Sequence, residues 1–446
     1  MPMYESILGA LLAEWRTRIP PEDLIRRDLR VSIDEIFAAP KKVIAIVGLR
    51  RVGKTYIALQ MAHRLISRGI EVIYANFEDE RLPSDKRVLE DFLSLLKGMH
   101  GDLSKAYIIL DELQRFPDWG RWLRRFFDME RPNIIITGSS SKLTSLKLPY
   151  ELRGRSLTVR VFPLRFWEFV RFKDEKINVD IVEYSDTERS KLIRLFEEYL
   201  IYGGLPEVVL APRTKKILIL QDYFNAIVLK DIIEKRGDVR DVSKVVTLVK
   251  MLVNSTYFSA SRLENTMRSI GYKMSRDSIL EYKEDAQDAF LIDIIPQLTN
   301  SLRKQLLAPS KLYVADNGLI TALSRLKIRY GRLLENLVFI ELQRRYFGDP
   351  SVEIAYWVGR KSEVDFIVRS GFEVLDAIQV CWDPMDFEVL DRELRGLKNF
   401  MRINGIKKAT IITAYHEERR KIGNKVVKFM PYWKWELAHE KSLHTI

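Results

Sequence analysis

Two hydrophobic rhythms follow one another along the chain, and their order predicts its architecture. Ile7, Leu8, Leu11, Leu12 and Trp15 fall at helical spacing, so the first forty residues are expected to be helices leading into a sheet. From Lys41, short β-branched runs alternate with helical stretches. Lys42–Val47, Glu71–Phe77, Tyr107–Leu110, Asn133–Thr137 and Ser156–Phe162 read as strands, and Tyr56–Ser67 and Trp119–Met129 as helices. Such alternation predicts an α/β fold with a parallel sheet and right-handed crossovers. Beyond it the helical period dominates. Residues 187–211 read as helical and end in Gly203-Gly204-Leu205-Pro206, and Asp241–Val253, Ser259–Ile270 and Ser275–Ala289 read as three more helices. Leu291–Ile295 and Lys311–Val314 then flank a basic turn at Arg303 and Lys304. Three helices followed by a strand hairpin describe a winged helix. A last α/β region starts near Gly331. The expected division is therefore 1–40 helical segment, 41–170 α/β core, 171–235 helical region, 236–325 winged helix and 326–446 C-terminal α/β domain.

Composition narrows the class. The chain has 446 residues, 47% hydrophobic and 30% charged, a globular balance with room for several domains of about 100–200 residues. Its net charge of +12 points to a polyanionic partner such as nucleic acid, with a salt-bridged surface as the alternative. The single cysteine, Cys381, excludes an intramolecular disulfide and fits a cytoplasmic protein. No apolar run of about 18 residues predicts a membrane span, and the start of the chain lacks the pattern of a secretion leader.

The chemistry is concentrated after the first strand. Gly48, Leu49, Arg50, Arg51, Val52, Gly53, Lys54 and Thr55 match G-x-x-x-x-G-K-[ST] between a strand and a helix, with Tyr56 next in line. Glycines let the backbone curl so that its N–H groups face phosphate oxygens, and the helix adds its positive end. ATP or ADP is the expected ligand, with Lys54 on the β- and γ-phosphates and Thr55 on Mg²⁺. Tyr107–Leu110 leads into Asp111 and Glu112: Asp111 is expected in the Mg²⁺ shell and Glu112 as the base for the attacking water. Thr137 or Ser139, after the fourth strand, is placed to sense the γ-phosphate. Arg153 and Arg155 are candidates for an arginine finger, acting in the same or a neighbouring subunit, or for a plain salt bridge.

Together with Asn76-Phe77-Glu78-Asp79-Glu80-Arg81-Leu82, Thr137-Gly138-Ser139-Ser140-Ser141-Lys142, Tyr313-Val314-Ala315-Asp316-Asn317-Gly318, Leu333-Leu334-Glu335-Asn336 and Glu363-Val364-Asp365-Phe366, these motifs resemble AAA-type ATPases of archaea and bacteria with a C-terminal uncharacterised, PD-(D/E)xK nuclease-like domain. Gly204-Leu205-Pro206 is similar to the lid motif of signal-transduction ATPases, which implies that Pro206 packs on the nucleotide base. The resemblance implies an ATPase core, a lid, a winged helix and a restriction-endonuclease-like tail. In that tail Glu335 and Asp365 stand at carboxylate positions, but Gln379 replaces the second acid and Cys381 the lysine. A neutral amide is a poor ligand for a hard cation, so a binding domain without nuclease activity is expected; Lys361 is an alternative source of the lysine.

DNA candidates are Lys273 and Arg276 at the start of the third helix, then Arg303, Lys304, Arg325, Lys327 and Arg329. Residues 301–346 carry nine Arg or Lys against three acids, a patch suited to phosphates. Glu281, Glu284, Asp285 and Asp288 argue against that helix lying deep in a groove. The function expected is an ATPase that binds DNA, branched or junction forms included, and forms an ATP-dependent homo-oligomer. A switch acting on proteins and a nucleotide-regulated nuclease are the alternatives.

Overall fold

The computed structural model describes residues 3–21, 24–28, 33–37, 40–138, 151–237, 241–299, 301–324, 329–360, 362–385 and 387–443. Ser139, Lys142, Arg325, Lys327 and Lys361 lie outside them. The chain forms two compact units, Met1–Val161 and Phe162–Ile446.

In the first unit β1 (Val43–Val47), β2 (Val72–Asn76), β3 (Tyr107–Asp111), β4 (Asn133–Gly138) and β5 (Ser156–Arg160) form one sheet in the order β2-β3-β4-β1-β5. All pairings are parallel. Every residue of β1 and β4 is buried. That is why these strands read as continuous apolar runs: helices cover both faces of a parallel sheet. The helix Glu5–Arg18 buries Leu8, Leu11 and Leu12 and sets Trp15 against Tyr74 of the edge strand, ring centroids 4.6 Å apart. The N-terminal segment is thus part of the nucleotide core's own packing rather than a separate piece.

The second unit begins with the helices Phe166–Phe172, Asp186–Tyr202, Pro206–Leu210 and Arg213–Ala226. The helix Asp186–Tyr202 ends at Gly203-Gly204, where the helical stretch was expected to end. Gly203 has φ +75°, and a side chain on Gly204 would stand 2.3 Å from the Leu164 carbonyl oxygen. Next come the helices Val242–Asn254, Ala260–Ser269 and Arg276–Asp288, with β6 (Tyr257–Phe258), β7 (Ile292–Ile295) and β8 (Ser310–Val314) in an antiparallel sheet of order β6-β8-β7. Arg303 and Lys304 lie on a short helix, Leu302–Leu307, not a turn. After the helix Tyr330–Tyr346, the strands β9 (Val352–Val358), β10 (Glu363–Ser370), β11 (Glu373–Val380), β12 (Lys408–Thr413), β13 (Glu418–Ile422) and β14 (Lys425–Pro431) make a mixed sheet, order β13-β14-β12-β11-β10-β9. The helix Phe387–Ile403 covers it through Leu390, Leu394, Leu397, Phe400 and Met401.

The segments expected as three domains after residue 170 fall within one compact unit, tied together by buried polar contacts. Glu436 of the last helix accepts the backbone N–H groups of Phe166 (3.1 Å) and Trp167 (3.3 Å), so the end of the chain caps the beginning of the unit. Asp316 accepts N–H from Gly204 (2.7 Å) and Gly318 (2.8 Å). Asn317 donates to the carbonyls of Leu200 and Leu333, each at 2.9 Å. Asn336 bonds both backbone groups of Val314. The motif Asp316-Asn317-Gly318 is a buried polar joint between the helices Asp186–Tyr202 and Tyr330–Tyr346.

Candidate functional site

The phosphate loop has the backbone its sequence requires. Gly48 (φ +147°) and Gly53 (φ +96°) take conformations that disfavour side chains, and a Cβ on Gly48 would stand 2.5 Å from the Val161 carbonyl oxygen. Arg51 sits in the left-handed region at φ 67°. Gly53 precedes the helix Lys54–Ile66, whose first N–H groups have no intrahelical partner. Lys54 is buried, and its ammonium donates to the carbonyls of Gly48 (3.1 Å) and Leu49 (3.0 Å). Thr55 is half-buried and Tyr56 exposed.

A clamp that the sequence does not announce holds this loop. Arg27 is buried and its guanidinium donates to the Val52 carbonyl at 3.0 Å. Its own backbone is fixed by Gln60, which accepts the Arg27 N–H (2.7 Å) and donates to the Arg27 carbonyl (2.8 Å). No motif marks Arg27; a lone Arg in a segment without periodicity carries no signal.

Asp111 ends β3 beside Thr137 of β4 and Asn76 of β2. It is buried; the Tyr74 hydroxyl donates to one oxygen at 2.6 Å, and the Thr137 hydroxyl to the other. Thr137 therefore orients Asp111. Glu112 follows with φ 56°, and Gln114 donates to its carboxylate. Burial pushes the Glu112 carboxyl up to about 7, against the pull of Lys54 and with the added repulsion of Asp111 and Glu78. Lys54 and Glu112 thus feel one another at the C-terminal edge of the sheet.

The two finger candidates are at the wrong edge. Arg155 passes its carbonyl to the Val43 N–H at the start of β1, and Val43 is level with Ser156. The phosphate loop leaves the other end of β1, after Val47. Four steps of about 3.3 Å separate those ends. Arg155 instead pairs with Asp128 at 2.6 Å, the plain salt bridge. Within one chain neither Arg153 nor Arg155 is placed as a finger. The register puts Arg160 level with Val47, which makes it the arginine of β5 at the phosphate edge.

Pro206 begins a helix of the second unit. In that unit the basic patch is smaller than the sequence suggests. Arg332 donates to the carbonyls of Val253, Asn254 and Ser255. Arg344 and Arg345 both pair with buried Glu341, and Lys311 is buried. These four are internal, while Arg303, Lys304, Arg329 and Lys273 are exposed. Arg276 is exposed but paired with Glu264 at 2.7 Å. Three acids of its helix are engaged, Asp285 and Asp288 by Lys235 and Glu281 and Asp285 by Arg236, while Glu284 is exposed.

Glu335, Asp365, Gln379 and Cys381 line a single cavity of about 830 Å³, so the structure brings the four together. Gln379 Oε1 accepts the Asp365 N–H at 3.1 Å, and its amide donates to Glu393. Burial pushes the Cys381 thiol up to about 12, which removes it as a nucleophile. Among the described residues no group of three or more His, Cys, Asp or Glu is arranged to hold a metal ion. No described helix is long and apolar enough to cross a membrane.

Residues 40–170 match the model of a family described as AAA domain, and residues 193–329 match a domain of unknown function, DUF8612. An uncharacterized protein of Methanocaldococcus jannaschii is 32% identical over 426 residues, 93% of this chain and 92% of that protein. One of Haemophilus influenzae is 30% identical over 396 residues, 87% of this chain and 93% of its own length. Among solved structures, a Walker-type ATPase of Pyrococcus abyssi is 14% identical with a TM-score of 0.40, covering 64% of this chain and 91% of its own. The Orc1 protein of Aeropyrum pernix in complex with DNA is 14% identical with a TM-score of 0.30, covering 69% and 96%.

Proposed function

We propose, for a chain that belongs to the same family as these archaeal and bacterial relatives and carries an AAA domain over residues 40–170, that the first unit hydrolyses ATP and the second holds DNA. The observation that carries hydrolysis is Glu112, a half-buried carboxylate beside Asp111 whose ionisation is pushed to about 7. A base with a pKa near the working pH is effective in proton transfer. The hard oxygens of Thr55 and Asp111 suit Mg²⁺, which supplies charge neutralisation on the transferred phosphate. Lys54 holds the β- and γ-phosphates within the curled loop, and Glu112 takes the proton from the water that attacks the γ-phosphate while ADP leaves. Arg27 keeps the loop closed through Val52.

DNA contact is supported by the second unit. Three helices and the β6-β8-β7 sheet follow the order of a winged helix. With Glu281, Asp285 and Asp288 engaged by Lys235 and Arg236, the objection that its third helix repels DNA is reduced to the exposed Glu284 and one uncompensated charge. Exposed Lys273, Arg303, Lys304 and Arg329 supply charge for phosphates. The C-terminal part is read as a nuclease-like binding domain that does not cut. ATP turnover of wild type and Glu112→Gln, each with no DNA, duplex, single strand and a four-way junction, is the test. Glu112→Gln is expected to bind ATP and lose turnover by roughly 10²–10⁴-fold; normal turnover removes Glu112 as the base. Stimulation by any DNA supports the DNA reading, and equal rates throughout favour a switch acting on proteins.

A further inference from the structure

Residues 402–428 hold eight Arg or Lys against two acids, and both acids are already engaged. Glu417 pairs with Lys434 at 2.6 Å and Glu418 with Arg420 at 2.8 Å. Pairing register decides where the other cations point. Ala409 and Ile411 of β12, with Val427 and Phe429 of β14, belong to the core under the helix Phe387–Ile403. Side chains alternate along a strand, so Lys408 and Lys428 are on the opposite face. On β13, Arg419 stands level with Lys428 and Lys421 with Val426, and Lys408 of β12 is also level with Val426. Lys408, Arg419, Lys421 and Lys428 therefore share one face of three adjacent strands. All four are exposed, and none makes an ion pair among the described residues.

Their spacing suits a phosphate backbone. Strands stand about 4.8 Å apart, and residues two apart on a strand about 6.8 Å, so the four charges occupy a field of roughly 10 by 7 Å. Over about 10 Å a DNA strand presents roughly three phosphates. The field is also rigid, because the ladders of β12, β14 and β13 and the two-residue turn Gly423-Asn424 fix its backbone. Cations often guard an edge strand against pairing with another chain. That accounts for β13, the edge, but not for Lys428 and Lys408 on the second and third strands. No large apolar side chain of β12, β13 or β14 is exposed. A protein interface has an apolar centre and a membrane-bound surface apolar anchors, whereas a phosphate backbone is held by charge alone.

We propose that Lys408, Arg419, Lys421 and Lys428 form a second surface for the DNA backbone, which binds phosphates without reading bases. The proposal rests on the reading of the second unit as the part that holds DNA, and adds to it a surface that the sequence did not single out. None of the three strands lines the cavity around Glu335 and Asp365, so the surface is distinct from the nuclease-like cavity. It is also remote from Arg303 and Lys304. Gln305, in the same short helix as those two, donates to Glu353 of β9 at 3.4 Å, and Gln297 pairs with Tyr356 of that strand. β9 and β13 are the two edges of the six-stranded sheet, five strand spacings or about 24 Å apart. A duplex that touches both surfaces therefore spans at least about seven base pairs between them.

Titration of one labelled duplex, long enough to reach both edges, at four salt concentrations is the test. The full chain is compared with a fourfold variant, Lys408→Gln, Arg419→Gln, Lys421→Gln and Lys428→Gln, and separately with the threefold Arg303→Gln, Lys304→Gln and Arg329→Gln. The fourfold variant is expected to bind more weakly and to flatten the slope of log affinity against log salt by about 0.9 for each phosphate released, roughly 3 in all. A charge-conserving variant, Lys408→Arg, Arg419→Lys, Lys421→Arg and Lys428→Arg, is expected to keep the wild-type slope. Should the fourfold variant melt early, Lys421→Gln and Lys428→Gln alone carry the test, each with a flattening of about 0.9. A flatter slope in the fourfold variant with a wild-type slope in the threefold one supports this surface and withdraws the winged-helix contact. A wild-type slope in the folded fourfold variant, or in both single variants, overturns the proposal and leaves these cations to an acidic protein, whatever the threefold variant does. Absence of salt-dependent binding by the wild type overturns both readings.

Discussion

At Glu112 the backbone and the charge are both held away from their ordinary states. Its φ of 56° costs a non-glycine residue roughly 1–3 kcal/mol, a cost that recurs at functional sites. Its carboxyl is pushed up to about 7 by burial. The unfolded carboxyl titrates near 4.5, so the raised pKa favours the folded state most below about 4.5, and this contribution is lost as pH rises through 7. Activity and stability therefore respond to pH in opposite directions. kcat/KM for ATP reports groups of the free enzyme, and is expected to rise with pH along a limb centred near 7. Glu112→Gln, neutral at every pH, is expected to melt higher than wild type at pH 8 and to lose that advantage at pH 4. A kcat/KM profile flat from pH 5.5 to 8.5 contradicts the assignment. The positions of the glycine loop, Asp111 and Glu112 at strand ends were legible because each follows a short apolar run. For Arg153 and Arg155 the sequence left a finger and a salt bridge open, because only the pairing register decides which arginine reaches which edge of a sheet; within one chain Arg160 is the arginine level with Val47.

At the scale of elements, the five parallel strands and the three central helices could be read within a few residues, since their periods are strong. β6 is two residues long and leaves no period. The ion pair of Lys311 with Asp365 was hidden because the two stand 54 positions apart. Gly203-Gly204 was legible as a break but not as a joint. Gly203 has φ +75°, and a Cβ there would stand 1.9 Å from a carboxylate oxygen of Asp316; Gly237 has the same φ with no atom within 4 Å among the described residues. The pair separates two effects of adding a methyl group. Gly237→Ala carries only the left-handed penalty, about 1–2 kcal/mol. Gly203→Ala adds overpacking of roughly 1–3 kcal/mol and displaces Asp316 from the Gly204 N–H. Urea midpoints followed by far-ultraviolet circular dichroism are expected to fall further for Gly203→Ala than for Gly237→Ala. Equal shifts would show that the joint yields freely and does not bind the helix Asp186–Tyr202 to the helix Tyr330–Tyr346.

For the whole molecule, a net charge of +12 is informative only after the internal cations are set aside. Lys311, Arg332, Arg344 and Arg345 spend their charge on carboxylates or carbonyls within the second unit. The patch read from sequence as nine cations owes four of them to the fold. Arg303, Lys304 and Arg329 are exposed and make no ion pair among the described residues, so they are free to displace counter-ions from a phosphate backbone. Replacing all three by Gln is expected to weaken binding to every duplex sequence alike. The slope of log affinity against log salt is expected to flatten by about 0.9 for each phosphate that is no longer neutralised. The melting temperature is expected to hold, because surface substitutions away from packed features change stability by no more than about 0.5 kcal/mol. ATP turnover without DNA is expected to match wild type, since the phosphate loop belongs to the other unit. Titration of one labelled duplex at four salt concentrations decides. An unchanged slope in a variant with an unchanged melting temperature places the phosphates elsewhere, and leaves this exposed charge to a protein partner with an acidic surface.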